Sequence, residues 1–160
     1  MRVHLITPVI TEGIRTLDDV APLMRDDLVI TQSLLATGPA SIECEFDEAM
    51  AVPGLVVEAI RAERAGADAI VIDCMGDPGL KAAREVVSIP VLGPAQTAMH
   101  LAAMLGHRFS VVTVLDSVVP MIENLAKVYG VDEKLASVRV IDIPVLELET
   151  EPERLTTELA

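Results

Sequence analysis

Aromatic residues and basic residues are both scarce in this chain. Its 160 residues contain no tryptophan, and the aromatic side chains are Phe46, Phe109 and Tyr129. Proteins that bind single-stranded nucleic acid stack the bases on aromatic side chains, which are missing here. The formal net charge of −13, from 25 acidic against 12 basic residues, also disfavours binding along a phosphate backbone. The composition therefore argues against a nucleic-acid partner.

Cysteines and long apolar runs are also few. The two cysteines, Cys44 and Cys74, are too few for a disulfide framework and lack the paired spacing of a zinc site. No apolar run approaches the roughly 20 residues of a membrane-spanning helix. The apolar stretch at the start is short and carries His4 and Pro8, which is unlike a signal peptide. We expect no metal site, no membrane association and a reducing, cytoplasmic location.

Aliphatic residues are abundant and follow an alternating pattern. Hydrophobic residues make up 51% of the chain, which is enough for a substantial core. Short β-branched runs predict strands at residues 3–6, 28–31, 69–72, 90–92, 109–115 and 138–145. Segments of helical period lie between these strands. One of these predicted helices starts at residue 52 and has Pro53 in its first turn. Glycines at positions 66, 106 and 130 are predicted to end three of the helices. This alternation is typical of an α/β fold with a mainly parallel sheet sandwiched by helices.

The most promising candidate for chemistry follows the third predicted strand. Ligands of open parallel sheets bind beyond the carboxyl ends of the strands, and Cys74 comes directly after the buried run at residues 69–73. A thiol at this position is expected to face backbone N–H groups and the positive end of the next helix, and both favour the thiolate form. The negative charge of the neighbouring Asp73 would instead raise the pKa of the thiol. Asp77 is expected to cap that next helix, ahead of Pro78 in its first turn. The alternative is that Cys74 is a small buried hydrophobic residue.

Other candidate groups give weaker signals. Cys44 lies between two glutamates that disfavour its thiolate, so we interpret it as an incidental residue of a loop or helix start. The acidic pair Asp47-Glu48 is interpreted as part of a solvated face. Neither a phosphate loop nor the glycine spacing of a dinucleotide site is present, so a nucleotide cofactor is unsupported.

The segment from Gly66 to Leu80 resembles the hydantoin racemase branch of the aspartate/glutamate racemase superfamily. It contains the string Cys74-Met75-Gly76-Asp77-Pro78-Gly79, and the similarity continues through residues 82–85, 89–91, 106–113 and 144–146, so that it covers nearly the whole chain. The pattern Cys-x-Gly-Asp-Pro-Gly is fairly specific, because glutamate racemases tend to carry Cys-Asn-Thr at that place. The resemblance therefore favours a cyclic ureide substrate over a free amino acid.

The resemblance implies a racemase of 5-substituted hydantoins or of allantoin that needs no cofactor. In such enzymes one cysteine removes the proton from the stereogenic carbon, and a second cysteine returns one on the opposite face. Cys74 matches the first of these cysteines. The substrate-facing residues of the family correspond to Pro8, Ser41, Ile42, Met75, Gly76 and Thr113.

The resemblance also implies a longer protein of two similar α/β lobes, in which the second cysteine lies in a later motif that this chain does not reach. We therefore expect residues 1–115 to form a first lobe that carries Cys74, and residues 116–160 to begin a second, shortened lobe. An incomplete lobe exposes apolar surface, so we expect a homo-oligomer. Three alternatives stay open: a catalytically incomplete ureide-binding module, an amino-acid racemase of the aspartate/glutamate type, and a decarboxylase that resembles the arylmalonate enzymes and uses a single thiol.

Overall fold

Parallel strands form two separate sheets in the computed structural model, which describes residues 1–148 and 150–159. The first sheet has the order β2-β1-β3-β4, with β1 at Arg2–Thr7, β2 at Val29–Leu34, β3 at Ala69–Ile72 and β4 at Val91–Leu92. The second sheet pairs β5 (Phe109–Thr113) with β6 (Leu135–Val140). All the strand pairs within the two sheets are parallel, which confirms the predicted α/β class.

Helices alternate with these strands along the chain. They are α1 (Glu45–Arg64), α2 (Leu80–Val86), α3 (Pro94–Leu105), α4 (Val119–Val128) and α5 (Pro152–Leu159). Gly66 and Gly130 adopt left-handed backbone angles just beyond α1 and α4, as expected of residues that end a helix. Among the described residues, no helix has the length and apolar character needed to cross a bilayer.

Several predicted boundaries are wrong. Helix α1 begins at Glu45, well before the predicted start, so Pro53 lies inside the helix. The acidic first turn of α1 explains the earlier start, because carboxylates are favourable near a helix N-terminus. Strand β6 runs over 135–140 rather than 138–145, and a short 3-10 turn at Val145–Glu147 follows Pro144, which has no N–H to donate to a ladder.

The core consists of two groups of buried side chains. The first lies between the four-stranded sheet and the helices α1 and α2, and includes Ile6, Leu55, Ile70 and Ile72. The second joins α3 and α4 to β5 and β6, and includes Met99, Ile122, Ala126 and Val131. Since β5 pairs only with β6 among the described strands, it shares a sheet with the residues that follow it. The expected lobe division after residue 115 stays a prediction.

Apolar side chains remain exposed on the outer surface of α3 and α4. Leu105 is 80% exposed, Met104 is 79% exposed and Val128 is 58% exposed. These side chains are compatible with the predicted homo-oligomer, which stays a prediction.

Candidate active site at the carboxyl ends of the strands

The loops that follow β1 and β2 are joined by backbone hydrogen bonds. Leu35 N–H donates to the Val9 carbonyl at 2.9 Å, and Ile10 N–H donates to the Pro39 carbonyl at 3.0 Å. Because parallel strands share one carboxyl edge, these loops lie at the same edge of the sheet as the loop after β3. Pro8 is fully buried there, so it supports the loops from beneath.

Cys74 lies in the loop directly after β3. Its N–H donates to the Ile72 carbonyl at 2.9 Å, and its own carbonyl accepts the Asp77 N–H at 3.0 Å, which closes a tight turn. The thiol is half-buried and packs against the first core group. This placement at a strand exit agrees with the position expected from the sequence.

The electrostatic environment of Cys74 differs from the expectation of a favoured thiolate. Burial raises the pKa of the thiol to about 11, and the carboxylates of Glu48, Asp77 and Asp73 add to the rise. A hydrogen bond from the Gly76 backbone N–H lowers it only in part. Helix α2 begins at Leu80, after a left-handed Gly79. A thiol with this pKa is protonated at neutral pH.

Alkylation by iodoacetamide gives a direct check of this environment. In a Cys44→Ser variant, Cys74 is the single thiol, and its alkylation rate should rise with pH up to about 11, because the thiolate is the reactive form. The rate is measured by mass spectrometry at a series of pH values. A plateau already reached near pH 8 would contradict the raised pKa.

Asp77 has a structural role that differs from the predicted one. Its backbone is left-handed, with φ of 50°, and its side chain turns away from α2 towards α3. The carboxylate accepts the N–H groups of Ala95 at 3.0 Å and Gln96 at 2.7 Å, so that it caps α3 and not α2. The prediction that Asp77 caps the helix after its own loop is therefore wrong.

Two further residues, Gly93 and Tyr129, lie close to the Asp77 carboxylate. A Cβ at Gly93 would lie 2.5 Å from that carboxylate, so glycine is required there. The Tyr129 hydroxyl, from the end of α4, donates to the same carboxylate at 2.7 Å. Burial and this hydrogen bond raise the pKa of Tyr129 well above its usual range, so the phenol remains a donor. The Asp77 carboxylate thus ties the Cys74 loop to both α3 and α4.

Glu48 is a residue that sequence reasoning misjudged. It is half-buried in the first turn of α1 and faces the Cys74 loop, whereas a solvated position was predicted. A Cβ placed on Gly76 would lie 3.4 Å from Glu48 Oε2 and 3.7 Å from Cys74 Sγ. Position 48 lies three residues before the buried Ala51 and seven before the buried Leu55, so it is on the same face of α1. This helical spacing is the sequence signal that could have predicted the partly buried position of Glu48.

Glu43 links the loop after β2 to loops of the second sheet. Its carboxylate accepts the Val145 N–H at 2.8 Å and the Ser41 hydroxyl at 3.2 Å. Its carbonyl accepts the Ser117 hydroxyl at 2.6 Å. These contacts span up to 102 residues of sequence, which explains why no local pattern indicated them. They position the predicted substrate loop with Ser41 and Ile42.

The remaining predicted site residues have different environments. Ile42 is partly buried and packs, like Cys74, against the first core group. Met75 is 55% exposed beside Cys74 and Gly76 in the same loop. Thr113 is buried at the end of β5, where its carbonyl accepts the Ile141 N–H at 3.0 Å. Cys44 lies at the N-terminus of α1, as predicted, and its thiol donates to Asp47 Oδ2 at 3.2 Å.

Comparison with known proteins identifies the family. A sequence model described as Asp/Glu/Hydantoin racemase matches residues 11–160. The chain belongs to this racemase family. It is 43% identical over 156 residues to a hydantoin racemase of Rhizobium meliloti and 41% identical over 157 residues to one of Pseudomonas sp., in both cases with 96% of this chain covered.

The fold comparison agrees with the sequence comparison. The structure of an allantoin racemase from Klebsiella pneumoniae matches with a TM-score of 0.92 at 35% identity, over 99% of this chain and 66% of that one. The resemblance to hydantoin racemases is therefore confirmed. The chain spans 62–65% of the length of these two hydantoin racemases.

Proposed function

We propose that this racemase-family chain removes and returns the C5 proton of a cyclic ureide, either a 5-substituted hydantoin or allantoin. Cys74 is the acid/base group in this proposal. The observation that carries it is the position of the thiol in the turn that directly follows β3, at the carboxyl edge of the first sheet. The identity to hydantoin racemases and the fold shared with an allantoin racemase support a ureide as the substrate class.

The chemistry requires no electron-sink cofactor. The C5 hydrogen of a hydantoin is next to a carbonyl group, so the electron pair left by the proton moves onto the carbonyl oxygen as an enolate. Backbone N–H groups of the strand-exit loops can stabilise that oxygen. Met75 and Gly76 lie beside the thiol in its own loop, and Ser41 and Ile42 lie in the loop after β2, whereas Pro8 and Thr113 are buried at the ends of β1 and β5.

The raised thiol pKa favours a second candidate function. A thiol with a pKa of about 11 is protonated at neutral pH and is a poor base until the substrate or a neighbouring group changes its charge. The second candidate is therefore a ureide-binding protein without turnover. Ligand binding alone raises the melting temperature, roughly with the logarithm of the ligand concentration above Kd, whereas turnover also exchanges the C5 proton.

Proton NMR in D₂O separates these functions. Each enantiomer of 5-benzylhydantoin is incubated with the protein, and we expect the C5–H signal to disappear. A Gly76→Ala variant is a steric test, because its methyl group would lie at ordinary contact distances of 3.4 to 3.9 Å from Glu48 Oε2, Cys74 Sγ and Pro78 and would crowd substrate at the thiol. Its stability should change by only about 0.5 kcal/mol, while exchange should be lost.

The same NMR experiment, combined with a melting-temperature measurement, can contradict the proposed enzymatic function. A C5–H signal that decays no faster than in buffer, together with a ureide-dependent rise in melting temperature, would establish the binding function instead. The same measurements with allantoin distinguish the two ureides.

A further inference from the structure

Helix α1 presents a row of apolar side chains on the face that points away from the core. The members of this apolar row recur at intervals of three and four residues and are Phe46, Met50, Pro53 and Val57. All four are exposed, and Phe46, one of the three aromatic residues of the chain, is 70% exposed. The opposite face of α1 packs into the first core group. A continuous apolar row, unlike single exposed residues, indicates a contact surface.

The apolar row forms one wall of an open groove. Residues 36–41, from the loop after β2, form the other wall, and the groove has a volume of about 880 Å³. The loop comes closest to the helix at Gly54, where a Cβ would lie only 2.6 Å from the Thr37 carbonyl oxygen. Along α1 the groove extends from Phe46 to Arg61, which is about 22 Å of helix. A groove of this length can accept a row of side chains from another helix.

The two ends of α1 carry opposite charges. The first turn is acidic and the last turn is basic; these residues are Glu45, Asp47 and Glu48, then Arg61 and Arg64. Asp47 and Arg61 both line the groove, one at each end. A second copy of the helix, turned end to end, would bring its acidic turn against the basic turn of the first copy, and the reverse, whereas a parallel copy would place like charges together. The charges therefore favour an antiparallel pair of identical helices, although the net charge of −13 opposes self-association elsewhere on the surface.

We propose that two copies of this chain associate through the apolar row, with their α1 helices antiparallel about a two-fold axis beside Pro53. In this register, residues equally far from the axis on either side of it face each other. Met50 of one copy then lies opposite Val57 of the second copy, and Phe46 lies opposite Arg61, whose guanidinium can stack on the ring. The face is complementary to itself, which is the requirement for a two-fold interface.

Sedimentation velocity of the full chain tests the association. The wild type should be associated at about 100 μM and dissociate on dilution towards about 1 μM. Val57→Glu places a charge in the middle of the apolar contact and should weaken association by about 100-fold or more. Leu105→Glu is the matched control, because Leu105 is more exposed than Val57 and lies on α3, outside the groove. That variant should associate like the wild type, and circular dichroism confirms that each variant folds.

Cross-linking through a single cysteine tests the register. In a background with Cys44→Ser and Cys74→Ser, Pro53→Cys places one thiol beside the axis, whereas Val57→Cys places it about 10 Å along the helices from its counterpart in the second copy. A disulfide requires Cα atoms within about 7 Å of each other. Oxidation with copper phenanthroline should therefore link Pro53→Cys chains and leave Val57→Cys chains unlinked, as seen by non-reducing gel electrophoresis. Parallel helices would link both.

The charge pairing has a test of its own. The ion pair of Arg61 with Glu58, at 2.6 Å on the same helix, holds the guanidinium at the groove. Arg61→Glu would face Asp47 of the second copy with a like charge, and association should weaken by about 10-fold. Arg61→Lys retains the charge and is the matched control. Added salt should weaken association of the wild type more than that of Arg61→Glu.

Three results would overturn the inference. A wild-type chain that stays monomeric at about 100 μM refutes a second copy as the occupant and leaves the groove to a different protein. Association that persists with Val57→Glu and is lost with Leu105→Glu assigns the interface to α3 instead. Cross-links at Val57→Cys without cross-links at Pro53→Cys refute the antiparallel register. None of these results depends on the ureide chemistry proposed above.

Discussion

Serine in place of Cys74 is expected to reduce inversion of a 5-substituted hydantoin by about 100-fold or more. A serine hydroxyl is a far weaker acid than a thiol and does not take part in proton transfer at C5 under the same conditions. The replacement is nearly isosteric, and the thiol is only half-buried, so the fold should be retained. The rate of inversion is followed by polarimetry, and circular dichroism confirms that the variant folds.

Cys44→Ser is the matched control for that experiment. Cys44 donates to Asp47 Oδ2 at the N-terminus of α1, and a serine hydroxyl can make the same hydrogen bond. Serine is also a favourable residue at a helix N-cap, so the variant should be at least as stable as the wild type. An inversion rate that falls with Cys44→Ser and persists with Cys74→Ser would reverse the assignment of the catalytic thiol.

The sequence predicts the fold class well because the determinants of that class are local. The run Ala69–Ile72 is apolar without alternation, as expected for a strand covered on both faces, and it forms a central strand of the first sheet. The split into two sheets was not predicted. It depends on whether β4 and β5 pair, and strand pairing between distant segments leaves no periodic signal in either one.

The position of Cys74 could be predicted, but its pKa could not. The strand-exit rule places the thiol from the residues around it. Its pKa depends on burial and on carboxylates that include Glu48, which belongs to a helix distant in sequence. Only the effect of Asp73 could be anticipated, since it is the adjacent residue. The same limit applies to Glu43, whose partners lie 74 and 102 residues away.

The backbone angle of Asp77 explains why the predicted capping role of this residue was wrong. An aspartate ahead of proline and glycine is a common helix cap, and this favoured α2 as its target. With φ of 50°, however, the carboxylate points at α3, and its third partner is a tyrosine 52 residues away. The motif that carries Cys74 is therefore held by distant elements rather than by the helix that follows it.

Asp77→Ala should consequently destabilise the chain by about 3 kcal/mol. The variant loses the two hydrogen bonds that cap α3, leaves the Tyr129 hydroxyl without its acceptor, and places alanine in a left-handed conformation; each of these costs about 1 kcal/mol. Asp77 is only 5% exposed, so water does not readily replace the lost partner. Urea denaturation measures the free energy of unfolding.

Two further variants separate the contributions at this position. Asp77→Asn tolerates the left-handed angle and keeps one carbonyl acceptor, so it should be less destabilising than alanine. Tyr129→Phe removes a single hydrogen bond and should cost about 1 kcal/mol. The double variant Asp77→Ala with Tyr129→Phe should be no less stable than Asp77→Ala alone, because the phenol has already lost its acceptor. If the two effects add fully, Tyr129 is stabilised by something other than Asp77, and the link between the Cys74 loop and α4 does not depend on this hydrogen bond.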